Sequence, residues 1–488
     1  MLRLRSGLGG IISLLGVAVL LFVSIGLLWY FPARLLSHFD WANLLILGFF
    51  CLAALGFIII VMKLKIKTVY ICIGIFLLSF ILQFLFSSTH KIVGENDLQF
   101  YYANAVKIAE GAFHYNSLYS ASFPGTVTYP ALLAVFFQFL GIHRIIPALL
   151  NQISTSATIV LVFLYVKSRY STLSGLVCAM LLATNPLVII YCGTCNAEIL
   201  YGNCMIWSYV TFCFALKRFE SARRIRFFLV PAIFLGVSVL FRPLALLMLI
   251  AMLLYLIIIS RINYKKCVAI CLILLLPFLL CNYLNGLLVK KITTYDAPKS
   301  SYGWNLYIGA SAAGSWNQAD GAEFDSVVAA ASSPSEIQTY FAQKAFDRYK
   351  GMGFGIVGHS FAKLSRWYAV DYIAQEATLT ESPPPQAVNF TQSDYVFPVF
   401  LYQVPILLLA MAFFLLLLFR RCFRRDPAND NLIILAFYAI GSFIVFAFLE
   451  FAPRYTISYH ILFTIPAFEM LLLIYRSLSA KLTKNSRP

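Results

Sequence analysis

Two carboxylates stand two residues apart in GENDLQFYYANAV, at Glu95 and Asp97, just ahead of Tyr101 and Tyr102. A third acid, Glu198, lies in GTCNAEILYG, and two arginines, Arg242 in LFRPLA and Arg454 in EFAPRY, stand in equally apolar surroundings. Ionisable groups at such places are expensive and need a reason. A carboxylate can take the proton from a hydroxyl as it attacks, and guanidinium groups grip phosphate by two parallel hydrogen bonds. Together they suit a displacement in which an activated hydroxyl replaces a lipid phosphate while cations hold the departing phosphate. Each residue also has a structural reading. Asp97 can cap a helix running on from it, with Leu98, Tyr102, Ala105 and Ala109 as its apolar stripe. That leaves the companion Glu95 unexplained. Glu198 suits the positive end of a helix. Arg454 has Glu450 four residues away, whereas Arg242 has no acid close in sequence, which favours a phosphate partner.

The elements that must position these groups are membrane helices. The chain has 488 residues, 61% hydrophobic and 12% charged, with mean hydropathy +0.83. A soluble chain carries about 25% charged residues. Runs such as Ala42–Met62 are long enough to cross a bilayer core. The net charge of +17 is therefore read against the membrane and not as a nucleic-acid footprint. The basic, apolar N-terminus is too long for a signal-peptide core and lacks a small-x-small cleavage site, so it reads as a retained first span. The 11 cysteines are scattered and do not form a disulfide framework. Cys192 and Cys195 in CGTC have no second pair or nearby histidines to make a metal site.

Apolar runs place spans near 10–30, 42–62, 68–88, 145–166, 173–192, 197–216, 226–241, 243–260, 267–287, 397–419, 431–450 and 458–475. The segment Tyr129–Ile142 is short for a span and suits an interfacial helix. Basic clusters decide its placement. With Tyr129–Ile142 on the outer interface and the N-terminus inside, KLKIK, KSR, KRFESARRIR, RRCFRR and the C-terminal tail all face inward. The expected architecture is an all-α polytopic membrane protein with about twelve spans, both termini cytoplasmic, juxtamembrane helices and a small external lobe. Its divisions are 1–88 (three spans), 89–144 (the acidic external loop), 145–287 (six spans), 288–396 (an α-rich lobe) and 397–488 (three spans and a tail). On this topology every acid except Glu220, Asp426, Asp430 and Glu469 is external. His359 and Lys363, four apart in GHSFAKLSRWYAVDY, share a helical face in the lobe. They read either as part of an interfacial helix or as substrate contacts.

These motifs resemble the membrane-embedded GT-C glycosyltransferases, in particular bacterial relatives of the dolichyl-phosphate-mannose protein mannosyltransferases and the aminoarabinose transferases. The segments carrying the resemblance are ENDLQFYYANAVKIAEG with FPGTVTYPALLAVFFQFLG, TNPLVIIYCGTCNAEILYG, FRPLALLMLIAMLLY, GWNLYIGASAAGSWNQAD and FAPRY. They span roughly residues 89 to 475; the first two spans precede the family's usual opening one. The resemblance implies an inverting transferase that takes one sugar from a polyprenyl-phosphate carrier at the outer face of a bacterial plasma membrane. The acceptor would be a glycan, glycolipid or protein hydroxyl, with neither metal nor nucleic acid involved. By position Asp97 would be the base, with Glu95 the runner-up because the motif reads E-N-D. Glu198, Arg242 and Arg454 match motif positions, and Tyr101, Tyr102, His359 and Lys363 complete the candidate substrate-binding set. Two rivals are a transporter or flippase of a lipid-linked saccharide and a ligase or polymerase using a lipid-diphosphate oligosaccharide. The first is disfavoured by ionisable groups crowding the outer face and by the lack of an evident internal repeat.

Overall fold

The computed structural model describes residues 13–25, 41–89, 97–112, 117–222, 224–260, 262–365, 392–424, 431–451 and 453–485. Glu95 lies outside them. So do the side chains of Asp97 and Arg454, whose backbones belong to helical turns. Among the described residues there is helix and no strand.

Each of the twelve apolar runs is mostly helical in its described residues. Among the described residues six helices are long and apolar enough to cross a bilayer: Thr68–Ser88, Ile145–Arg169, Ala197–Phe219, Tyr264–Thr293, Leu401–Arg421 and Ile457–Ala480. The pair Thr172–Ala183 and Pro186–Cys192 is a seventh if taken as one span, bent by 56°. The bend has a local cause. Pro186 cannot continue the preceding ladder, and Asn185 caps the new helix, its Oδ1 accepting from Leu187 N at 3.0 Å and Val188 N at 3.3 Å. The remaining apolar helices are shorter; Ile433–Phe448, for example, has 16 residues, or about 24 Å at 1.5 Å per residue. The count of twelve full spans thus remains an expectation.

Three of the long helices are joined by polar side chains. Thr158 Oγ1 donates to Asn203 Oδ1 at 2.8 Å, and Asn203 Nδ2 donates to Ser154 Oγ at 2.9 Å and Thr155 Oγ1 at 3.0 Å. Trp207 Nε1 reaches Thr158 Oγ1 at 2.8 Å, and Gln152 Nε2 reaches Ser87 Oγ at 2.7 Å. Such bonds hold membrane helices together where apolar surface alone gives no preference between helix and lipid.

Two further parts frame the candidate site. The helix Gly125–Leu140, the expected interfacial segment extended by one turn, packs along Asp97–Ala109. It buries Tyr129, Leu133 and Phe137 and exposes Phe139. Its start lies directly against the end of Leu229–Phe241, since a Cβ on Gly125 would sit 2.8 Å from Phe241 O. The lobe is built from Gly303–Gly309, Gln318–Ala330, Pro334–Met352 and Gly355–Leu364. Its core is aromatic: Trp304 meets Phe324 at 4.4 Å and Phe341 at 4.9 Å, and Tyr307 meets Phe341 at 5.0 Å. Gly303 is obligatory there, because a Cβ would fall 1.9 Å from Gln338 O.

Candidate active site

Glu198 occupies the first turn of the helix Ala197–Ala222 and is 2% exposed. The turn before it is pinned twice. Asn196 Oδ1 accepts from Glu198 N at 2.7 Å, and Asn151 Nδ2 donates to Thr194 O at 2.9 Å and Asn196 O at 3.3 Å. A carboxylate placed here gains from the helix dipole, as the structural reading of the sequence has it. It also has a specific partner.

That partner is Arg242. The helix Leu229–Phe241 ends because Pro243 pushes its predecessor out of the helical region; Arg242 is extended, at φ −146° and ψ 128°. Its guanidinium forms an ion pair with Glu198 Oε1, and Nη2 also donates to Tyr101 OH at 3.1 Å. On another side the guanidinium lies 5.5 Å from the ring centre of Tyr455, within cation–π range. Tyr101 is held edge-on by buried Tyr129 at 5.7 Å, and Tyr129 by Phe241 at 6.4 Å. Three segments, carrying Glu198, Tyr101 and Tyr455, therefore converge on one guanidinium.

Tyr101 follows Asp97 by one helical turn, so the backbone of the expected base begins the helix that delivers the phenol to Arg242. Tyr102 points elsewhere: its ring meets Phe137 at 5.5 Å and lies 5.8 Å from the Arg144 guanidinium. His359 and Lys363 belong to the lobe and are not drawn into this cluster; His359 Nε2 and Lys363 Nζ both donate to Gly309 O, at 2.8 Å and 2.9 Å. Cys192, buried, donates to Thr155 Oγ1 at 3.3 Å. Three participants were missing from the sequence reading: Tyr129, Tyr455 and Asn151. Tyr129 and Tyr455 were signalled by their places in the TYPALL and FAPRY motifs; Asn151 carried no signal apart from being polar within a span.

A buried carboxylate fixes a guanidinium in one orientation, and a guanidinium has five donors in a planar fork. The cluster is suited to holding an anion at the rim of the bundle. Residues 125–281 match the model of the dolichyl-phosphate-mannose-protein mannosyltransferase family. That stretch is about a third of the chain and contains Tyr129, Glu198 and Arg242. The match, to a glycosyltransferase family, is in keeping with the motif resemblance and with the helical membrane architecture. No curated protein matches the chain. Among solved structures, the Archaeoglobus fulgidus oligosaccharyltransferase in the apo form is similar at 15% identity over 85% of this chain, with TM-score 0.46. The archaeal oligosaccharyltransferase AglB from the same organism, in complex with an inhibitory peptide and a dolichol-phosphate, is similar at 15% identity over 86% of this chain, with TM-score 0.46. This chain spans about half the length of those structures, 52% of each.

Proposed function

We propose that the protein is an inverting glycosyltransferase that moves a single sugar from a polyprenyl-phosphate carrier to an acceptor hydroxyl at the outer face of the membrane. What carries this reading is the convergence of Glu198, Tyr101 and Tyr455 on Arg242, one helical turn from Asp97. Asp97, with Glu95 as the alternative, takes the acceptor proton. The acceptor oxygen attacks the anomeric carbon from the face opposite the phosphate, and the bond from that carbon to the phosphate oxygen breaks. The electron pair leaves on the phosphate, where Arg242, with Arg454 of the FAPRY motif, neutralises the developing charge. Glu198 keeps the Arg242 fork turned toward the phosphate.

The test needs no knowledge of the acceptor. The purified protein is offered a panel of polyprenyl-phosphate sugars, with and without crude acceptor extract, and release of free polyprenyl phosphate is measured. The expected result is release from one donor by the wild type, reduced about a hundredfold to ten-thousandfold in Asp97→Asn. No release from any donor, together with movement of intact lipid-linked sugar across vesicles, would replace the enzyme with a flippase.

A further inference from the structure

Lys363 is the most deeply buried cation of the lobe: the residue is 2% exposed. Its ammonium donates to Gly309 O at 2.9 Å and to Leu449 O at 3.0 Å. Gly309 ends one lobe helix, and Leu449 follows the last turn of the apolar helix Ile433–Phe448. Both carbonyls lie at helix C-termini, where the ladder has no further N–H to offer and the dipole favours a cation. The lobe caps that apolar helix carbonyl by carbonyl. Ser360 Oγ donates to Ala447 O at 3.2 Å, Tyr349 OH donates to Phe448 O, and Lys363 takes Leu449 O.

The two backbones are pressed together around the lysine. A Cβ on Gly309 would lie 2.1 Å from Phe448 O. Gly314, at φ +65°, passes over the lysine stem so closely that a Cβ would lie 2.4 Å from Lys363 Cδ. From this point the chain leaving the bundle runs along the lobe: Glu450 N donates to Asn305 O at 2.6 Å and Phe451 N to Gly314 O at 3.0 Å. Four residues later comes Tyr455, whose OH donates to Glu450 Oε2 at 3.4 Å and whose ring lies against Arg242.

We infer that Lys363 is a positioning residue: it ties the lobe to the end of the Ile433–Phe448 helix and so sets where the chain leaves that helix, which brings Tyr455 to the Arg242 cluster. This role rests on the proposed part of Arg242 in holding the donor phosphate. The groups facing the ammonium are the Gly309 and Leu449 carbonyls, the Glu450 carboxylate and His359, which shares Gly309 O. Burial pulls the lysine down to about 7, with Glu450 opposing.

The test uses the full chain in lipid nanodiscs and two readouts. Hydrogen–deuterium exchange of residues 447–456 is compared between wild type and Lys363→Met, with the buried Ala197–Ala222 helix as the internal standard. The expected result is exchange at Glu450 and Phe451 at least about tenfold faster, with the standard unchanged. Kinetics with the donor from the panel should show KM raised about tenfold and kcat within threefold. Gly314→Ala is the second variant, since it displaces the lysine stem without removing the ammonium; it is read at Glu450, whose amide bonds Asn305 O and not Gly314 O, where it should move exchange and KM the same way by a smaller factor, and it decides if Lys363→Met does not fold. Unchanged exchange at 449–451 in a folded variant overturns the inference. Faster exchange with unchanged KM also overturns it, since the lysine is then merely structural. If the wild type releases no polyprenyl phosphate from any donor, the proposed function falls by itself, and exchange alone still reports whether Lys363 sets this segment.

Discussion

The molecule holds two clusters of nearly the same composition, each an arginine, a glutamate and tyrosines, at opposite ends of its bundle. One is Glu198, Arg242, Tyr101 and Tyr455. The other is Arg169 and Glu469, paired at 3.6 Å, with Tyr170 OH donating to Glu469, Arg169 donating to Asn431 Oδ1 at 2.8 Å, and Tyr165 packed on the guanidinium. The helix Ile145–Arg169 touches both: Asn151 pins the turn before Glu198, and Arg169 ends the same helix 18 residues later, about 27 Å away at 1.5 Å per residue. The difference lies in what surrounds each pair. Arg169 sits in the last turn of its helix, where the dipole favours a cation, and ties that helix to Ile457–Asn485. Arg242 sits at a proline-broken helix end, and its partners come from a juxtamembrane helix, a capped turn and a segment running along the lobe. The same residue types make a staple at one end and, on the function proposed, an anion site at the other.

Exchanging the arginines should break that comparison most sharply. Arg242→Gln is expected to lower donor turnover about a hundredfold or more, as loss of a charge-stabilising donor does. Arg169→Gln should leave kcat/KM within about threefold and act on stability, by about 3 kcal/mol if its glutamate is left buried without its cation. Polyprenyl-phosphate release and thermal unfolding, measured on both variants, separate the two outcomes. Equal kinetic losses would show that both pairs serve only the fold. Next in size is Glu198→Gln. The fork of Arg242 loses the charge that orients it, and turnover should fall about tenfold to a hundredfold. The corresponding Glu469→Gln should change turnover little. Tyr101→Phe is milder: it removes one hydrogen bond worth about 1 kcal/mol, or roughly fivefold in kcat/KM, with no effect expected from Tyr165→Phe at the other cluster.

How far the sequence could show this division depends on the range of the signal. Helices were readable because an apolar run announces itself within about twenty residues. The start of the Asp97–Ala109 helix was readable from Gly94 and Asn96 and from the stripe that follows. The ion pair between Glu198 and Arg242 was not: the residues are 44 apart, and no periodicity links a helix start to a later helix break. Arg242 was singled out for having no acid nearby in sequence, yet the fold supplies one. The burial of Lys363 was not legible for a related reason: the left-handed turn at Gly314 that folds over its stem comes from another segment, 49 residues earlier.

The lobe supplies a third acid–arginine pair that sharpens the comparison outside the bundle, where the smallest effect is expected. Arg348 Nη2 lies 2.6 Å from Asp320 Oδ1, and Asn317 Nδ2 donates to Asp320 Oδ2 at 2.6 Å. Burial pushes the Asp320 carboxyl up, but the hydrogen bonds from Arg348 and Asn317 outweigh it, and the group is held below its ordinary value of 3.8. The sign follows from proton uptake. An acid depressed in the folded state binds fewer protons there than in the unfolded chain as pH falls past 3.8, so unfolding is favoured. Its stabilisation is complete above the unfolded value and is lost as pH falls through the lower folded one. Wild type and Asp320→Asn should therefore differ in melting temperature by about 2 °C near neutral pH, and the gap should begin to narrow below about pH 4 and close as pH falls further, through the folded value. A gap that does not narrow at all on acidification would mean that Asp320 acts through its hydrogen bond with Asn317, as a neutral group can, and not through charge; the lobe pair would then be a cap and no counterpart to either cluster in the bundle.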